Sequence, residues 1–396
     1  MLAVIETHPI QYHAPLYRLV QQVHGIPVTA IYGSDFSTAG YRDTEFATSF
    51  AWDSDLLSGY TSVFLSSVAR GGAASADEVT TTGLTDILRE LAPSAVMTVG
   101  YSPRFHRDAW LAALRTGCPL FFRGETNDDA VDRSWLKQIG RDAALRAAYG
   151  TCSRLLFVGA RSRAHFERLG VANERLVFSP YCVDASVFQT GESDRHAHRH
   201  AVRRELGVSD DQIVLLFSGK LSRRKGVDLL VEAVRRLPDD TRSRVVIAFL
   251  GDGALRGDLE RQAAETPSAH AIFLGFQNQR QLSRYYHASD LLVLPSRQFE
   301  TWGLVVNEAL HHGMPCVVSD KVGCGPDLIE HGRTGHIFST GSAYALAGAL
   351  QNALGLVGRD EVRQACRAKV AGYSTERAAA GIAEAYAGVI GAGKAA

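Results

Sequence analysis

The sequence predicts an α/β protein built from two doubly wound, parallel-sheet domains in tandem. Three observations carry that expectation. The chain has 396 residues, and at roughly 100–200 residues per domain that length favours two domains. Short apolar runs recur with helical patterns between them, an alternation typical of parallel sheets. The runs are apolar on both faces, as suits strands covered on both sides.

In the first half the predicted strands are 2–7 (LAVIET), 27–33 (PVTAIYG), 61–66 (TSVFLS), 95–100 (AVMTVG), 119–125 (PLFFRGE) and 154–159 (RLLFVG). Helical segments at 106–116 and 135–148 lie between them. In the second half strands are expected at 213–219, 245–250, 271–275, 291–294, 315–318 and 335–338. Helices are expected there at 228–237, 255–265, 281–288, 303–312 and 342–354. Each half is thus a Rossmann-like unit. Segment 189–202, QTGESDRHAHRHAV, is polar and without an apolar period, so it reads as a solvated linker. His196, His198 and His200 alternate within it, but no Cys or carboxylate stands where it would complete a tetrahedral metal shell. The expected domains are 1–188 and 202–375.

Composition excludes several classes. Apolar residues make up 46% and charged residues 21% of the chain, which supports a packed core and rules out wholesale disorder. Lys plus Arg and Asp plus Glu each total 42, so a protein living on bulk nucleic-acid affinity is disfavoured. Six cysteines without a Cys-x-x-Cys pair make neither a disulfide framework nor a zinc ribbon, and they suit a reducing cytosol. Glu6 and His8 cut the first apolar run short of a signal-peptide core. No stretch reaches the ~18 apolar residues of a membrane span. A cytoplasmic protein is expected.

Ligands of open α/β sheets sit outside the carboxyl ends of the strands, which narrows the search. One such end is 217–226, FSGKLSRRKG. Gly219 ends a strand, and Lys220 and Lys225 flank a turn before a helix. Two cations beside a helix N-terminus suit a di-anion such as a diphosphate; the alternative is a solvated basic turn carrying Arg223 and Arg224. At 249–257, FLGDGALRG, Gly251 and Gly253 let backbone approach a nucleotide. Their spacing differs from the dinucleotide fingerprint, and the next strand lacks a terminal acid for a ribose. The third end holds Glu300, just before the helix expected at 303–312, and Glu308 within it. At ~1.5 Å per residue the two carboxylates would lie about 12 Å apart, suited to hydroxyl groups at both ends of a diphosphate. The Gly303, Leu304 and Val305 amides would face the phosphates. Glu308, between VVN and ALHHGMP, reads as buried and in need of a partner such as a ribose diol; a solvated helix face is the alternative.

The E-x7-E spacing of Glu300 and Glu308 resembles that of retaining glycosyltransferases of family 4, which have the GT-B fold, two Rossmann-like domains facing a central cleft. The G-x-L-x3-KG turn at 219–226, the GDG at 251–253, the D-x4-PS at 290–296 and the glycine-rich tail at 323–335 are similar to that family too. The likeness covers most of 175–375. THPIQY at 7–12 and WDSDLLSGY at 52–60 resemble a bacterial subgroup. The resemblance implies that Lys225 holds the donor diphosphate, with Lys220 adding charge where the family usually has an arginine. It implies that Glu300 binds donor-sugar hydroxyls near the reacting carbon, and Glu308 the ribose. Trp302 stands where Phe is more common, and would reshape the sugar pocket. The last helix, within 376–396, would cross back onto the first domain.

The family's N-terminal histidine motif is not evident at 98–103, TVGYSP. Acceptor-side candidates therefore come from strand ends: His8 (also the catalytic candidate), Gln11, Tyr101, Arg123 and Glu125. Asp53 and Asp55 form a D-x-D, the metal motif of another glycosyltransferase fold, but without its context. The implied reaction moves a sugar, with retention, from a UDP- or GDP-sugar to a glycan, lipid-linked or small-molecule hydroxyl. No cofactor and no metal are implied, and the expected setting is bacterial polysaccharide or glycoconjugate biosynthesis. Alternatives are an epimerase or phosphorylase of the same fold, natural-product glycosylation, and a non-catalytic nucleotide-sugar binder, which would not need Glu300. Segment 133–175 carries nine Lys/Arg against three acids, with Trp135, Leu136, Ile139 and Tyr149 interleaved. It reads as two solvated helix faces in preference to a surface leaning on anionic lipid at the inner face of a membrane.

Overall fold

A computed structural model describes residues 1–39, 41–43, 48–50, 55–131, 133–265 and 270–391. In the first half the strands are β1 (Leu2–Glu6), β2 (Val28–Ser34), a hairpin of β3 (Tyr41–Asp43) and β4 (Thr48–Phe50), β5 (Thr61–Ser66), β6 (Ala95–Thr98), β7 (Leu120–Gly124), β8 (Arg154–Phe157) and β9 (Leu176–Phe178). Apart from the antiparallel hairpin they form one parallel sheet, in the order β5-β2-β1-β6-β7-β8-β9. The second half holds β10 (Ile213–Ser218), β11 (Val245–Leu250), β12 (His270–Gly275), β13 (Leu291–Leu294), β14 (Cys316–Ser319) and β15 (Gly335–Phe338). These form a second parallel sheet, ordered β12-β11-β10-β13-β14-β15. Both orders reverse beside the first strand of the sheet, between β1 and β6 and between β10 and β13. That reversal opens a crevice at the carboxyl ends, where loops diverge to either side. The fold is therefore two Rossmann-like α/β domains.

Burial explains the element choice. Residues of β1, β2, β6, β11, β13 and β14 are buried throughout, because helices cover both faces of each sheet. The edge strands β5 and β12 are mostly half-buried. Among the strands, two features went unanticipated: the short hairpin β3–β4, and β9, three residues at the far edge of the first sheet.

Segment 189–202 departs from expectation. Glu192–Glu205 is a single helix packed on Gln279–Ala288 of the second domain, and not a solvated linker. Its buried stripe is disguised by an arginine. Arg203 is only 2% exposed and binds Asp290 at 3.2 Å, the Ala288 carbonyl at 3.0 Å, and the Ser209 and Gln212 carbonyls at 2.6 Å each. Arg199 holds the other oxygen of Asp290 at 2.8 Å. Alternate residues of a helix turn roughly 200° apart, so His196, His198 and His200 cannot converge on one ion.

The domains meet through a chain of polar contacts. Asp327 of the second domain accepts from the Ala160 amide at 2.9 and 3.2 Å, at the start of the Ala160–Arg168 helix of the first. Tyr373 donates to the same carboxylate at 2.8 Å. Asn127 donates to the Thr301 carbonyl at 3.2 Å, and the Phe299 amide to the Ala130 carbonyl at 2.8 Å. The last helix, Thr375–Ile390, lies on the Ala14–Gln22 helix and β9 of the first domain, and Ser179 donates to its Ala378 carbonyl at 2.9 Å.

Candidate active site

Between the domains lies a cavity of about 250 Å³, lined from the second domain by Gly219, Lys220, Lys225, Gly251, Val305 and Glu308 and from the first by Gln11 and Tyr12. Two loops form its floor by stacking backbone on backbone. A Cβ on Gly251, at φ +143°, would fall 1.9 Å from the Gly219 carbonyl oxygen, so only glycine lets these turns touch. Gly253 is seated in the same way against Leu221. The Arg223–Lys225 turn then feeds the Val227–Arg235 helix and presents Lys225 upward.

The opposite wall is the Leu304–His311 helix. Gly303 caps it at φ +100°, a left-handed conformation in which Leu294 and Val322 already crowd the Cβ position at 3.0 Å. Glu300 precedes this cap, outside the helix. Phe299, a non-glycine residue at φ +59°, turns the chain there; that backbone cost is of order 1–2 kcal/mol and is opposed by its amide bond to Ala130. The Glu300 carboxylate is 8% exposed and accepts from Lys225 Nζ at 2.5 Å and from Ser296 Oγ at 2.7 Å. The lysine, the serine and the acid thus meet beside the cleft, where Lys225 lines the cavity and Glu300 lies behind it.

Glu308 sits one turn into the helix, 3% exposed, and accepts from the Tyr286 hydroxyl at 2.6 Å. Burial pushes its carboxyl up to about 7, against the pull of the Tyr286 hydrogen bond. Tyr12 crosses from the first domain, and burial together with the Glu308 charge raises its phenol. Tyr12, Tyr286 and Ser296 escaped sequence reasoning. The first lies inside the THPIQY segment and the last inside the D-x4-PS pattern, while nothing in the sequence marks Tyr286.

The remaining candidates divide. Gln11 is buried, lines the cavity and has no partner for its Oε1 among the described residues. His8 lies outside the cavity lining; its Nδ1 meets Thr7 Oγ1 at 2.9 Å and its ring lies on Phe36 at 4.4 Å. Burial drives it down to about 4, so it is neutral near pH 7. Arg123 is held by the chain crossing between domains, through Ser179 Oγ at 3.0 Å and the Pro180 carbonyl at 2.7 Å. Tyr101 accepts from Arg141 at 3.1 Å and packs on Phe122. Glu125 stands at the domain joint beside Thr301, its carboxyl raised by burial and by nearby Glu300.

Trp302 does not line the cavity. It is buried in the joint, donating to Asn307 Oδ1 at 2.8 Å, with its ring against Gly159 and edge-on to Tyr181. Asp53 lies outside the described residues, and Asp55 caps a turn by accepting from the Leu57 and Ser58 amides at 3.1 Å each. Among the described residues no three His, Cys, Asp or Glu side chains gather as a metal-holding group, and no helix is long and apolar enough to cross a membrane. In 133–175, Tyr149 is core, whereas Trp135, Leu136 and Ile139 are 69%, 64% and 59% exposed.

Comparison with known proteins agrees with this architecture. The fold is GT-B. The crystal structure of Anabaena HepE in complex with UDP superposes with a TM-score of 0.71 at 18% identity, covering 98% of this chain and 99% of that one. Residues 198–369 match the family model of glycosyl transferases group 1. An uncharacterized glycosyltransferase of Methanocaldococcus jannaschii is 37% identical over 130 residues, 33% of this chain and 32% of that protein. A D-inositol 3-phosphate glycosyltransferase of Streptomyces scabiei is 30% identical over 292 residues, 68% of this chain and 63% of that protein. The chain thus spans between about a third and two thirds of the length of these two curated relatives.

The raised Glu308 carboxyl has a thermodynamic consequence. Folded Glu308 binds its proton more tightly than the ordinary carboxyl near 4.5, so its contribution is fully present below that pH and falls as pH rises to about 7. The loss is about 3 kcal/mol. Glu308→Gln removes it: thermal-melt profiles should show the variant gaining on the native chain from about pH 5 to about pH 8. Parallel profiles would refute the raised, buried carboxyl.

Proposed function

We propose that the protein is a glycosyltransferase that moves a hexose from a nucleotide diphosphate sugar to an acceptor hydroxyl, with retention at the anomeric carbon and without a metal ion. The observation that carries this reading is the placement of Lys225 and Glu300 in contact at one edge of a cleft whose other wall holds buried Glu308. Lys220, Lys225 and the start of the Leu304–His311 helix suit a diphosphate. Glu308 suits the ribose diol, whose hydroxyls would stabilise its charged form. Glu300 suits sugar hydroxyls beside the reacting carbon. Support for the nucleotide comes from HepE, whose crystal structure is in complex with UDP, and a UDP-sugar or GDP-sugar is the expected donor.

The chemical problem is the leaving group. As the bond from the anomeric carbon to the phosphate oxygen breaks, its electron pair moves onto the diphosphate. Two lysines and the helix amides stabilise that charge. The acceptor oxygen then attacks the same face of an oxocarbenium-like sugar, and its proton passes to a phosphate oxygen. Gln11 and Tyr12 close the cleft from the first domain and limit access of water. Acceptor candidates are a glycan, a lipid-linked sugar or a small molecule, in bacterial polysaccharide or glycoconjugate assembly. An epimerase on the same fold would use the same donor groups without a separate acceptor, whereas a phosphorylase would pass the sugar to inorganic phosphate and need no nucleotide.

Thermal-shift titration with UDP, GDP, ADP and TDP, with and without EDTA, tests the donor site. One nucleotide at about 100 times its Kd should stabilise the protein by about 2.7 kcal/mol, unchanged by EDTA. Stabilisation by none, or only with divalent metal, would refute the reading. The anomeric configuration of the product, read by proton NMR against the donor, tests retention.

The exposed Trp135, Leu136 and Ile139, with Arg133 and Lys137 beside them, support peripheral contact with an anionic membrane face. Flotation with phosphatidylglycerol vesicles at low salt should carry the protein, less so after Trp135→Ala. No flotation would end that proposal.

A further inference from the structure

A second cavity, of about 230 Å³, lies at the opposite edge of the second sheet, where β13 and β14 begin. That is far more than the ~10–15 Å³ a single water needs. Arg195 and Arg199 of the Glu192–Glu205 helix line it from one side, and Arg359 and Arg363 from the start of the Asp360–Ala371 helix line it from the other. None of these residues belongs to the candidate active site.

The charge around this cavity does not balance. Six arginines, 195, 199, 203, 359, 363 and 367, share four carboxylates, Glu192, Asp290, Asp360 and Glu361. Glu192 serves both Arg195 at 2.6 Å and Arg367 at 2.9 Å, and Asp290 serves both Arg199 and Arg203. Two positive charges remain over. The crowding is felt at Arg363, whose guanidinium is held below its usual range by burial and by Arg195, Arg367 and Arg199, with Glu192 opposing. Guanidinium groups collected around a concavity suit an oxyanion such as phosphate, because their forked donors match its oxygens.

A second observation specifies the ligand further. His287 lines the same cavity, is 3% exposed, and places Nε2 at 2.6 Å from the Gln189 carbonyl oxygen. A carbonyl can only accept, so Nε2 carries the proton and Nδ1 is left as an acceptor. That Nδ1 is buried and has no partner among the described residues. A buried acceptor of this kind calls for a hydrogen-bond donor, which a ligand hydroxyl can supply.

We propose that this cavity binds a small phosphate that carries a hydroxyl, either hydrogen phosphate or a sugar monophosphate. Two negative charges answer the arginine excess, and the hydroxyl donates to His287 Nδ1. The site is separate from the donor cleft, and the inference stands whatever the cleft binds. Tyr286 and His312 link the two: both line this cavity, and they donate to the Glu308 carboxylate and to its backbone carbonyl respectively.

Calorimetric titration of the full chain with sodium phosphate, against sodium chloride at constant ionic strength, tests the proposal. Saturable binding is expected. It should survive Lys225→Ala, which disables the donor cleft, and weaken about tenfold or more in Arg363→Gln and in Arg195→Gln. Should those variants fail to fold, Arg359→Gln, at a side chain 54% exposed, should weaken binding in the same direction. Heat that follows ionic strength alone, or saturable binding lost in Lys225→Ala, would overturn it. Glucose 6-phosphate in place of phosphate separates the sources: tighter binding assigns a sugar phosphate, and equal or weaker binding assigns the free ion.

Discussion

The contact between Lys225 and Glu300 is the interaction on which the rest of the cleft depends. Each group is a charge held largely out of water, and each would be costly there without the other. Their meeting is dictated from two directions. Lys225 is presented by a tight turn that only closes because glycine backbones stack beneath it. Glu300 is presented by a strained turn at Phe299, held open by a carbonyl of the other domain. The pair therefore couples the loops that line the cleft to the domain joint.

The joint itself is mostly polar. Asp327 supplies, from one domain, the acceptor that the first amide of a helix in the other domain lacks. Trp302 and its Asn307 partner fill the space beside it. Such polar contacts fix the direction in which the two domains meet. The last helix, by returning to the first domain, ties the two together at the back.

Much of this was legible in the chain because the strands are short apolar runs between unambiguous helices. The grouping of glycines, lysines and an acid along one cavity was legible too, since at strand ends their spacing brings them together. What stayed hidden has physical causes. The Glu192–Glu205 helix buries an arginine in place of a hydrophobe, so its period vanished into polar text. Glu308 was legible as buried from its neighbours, but its Tyr286 partner comes from a helix 22 residues earlier and leaves no local mark. Phe299 occupies a left-handed turn without the glycine or asparagine that would announce it. Trp302 was expected in the sugar pocket from the family resemblance, yet its indole is buried in the joint against Gly159 and Tyr181.

The central claim is that Lys225 answers the diphosphate while Glu300 answers the sugar. Calorimetric titration of UDP into the native chain, Lys225→Met and Glu300→Gln tests it directly. Lys225→Met should lose about tenfold or more in affinity, as befits a charged hydrogen bond. Glu300→Gln should bind UDP at least as tightly as the native chain, because the lysine is then released from its competing carboxylate. A Glu300→Gln loss as large as that of Lys225→Met would contradict the account.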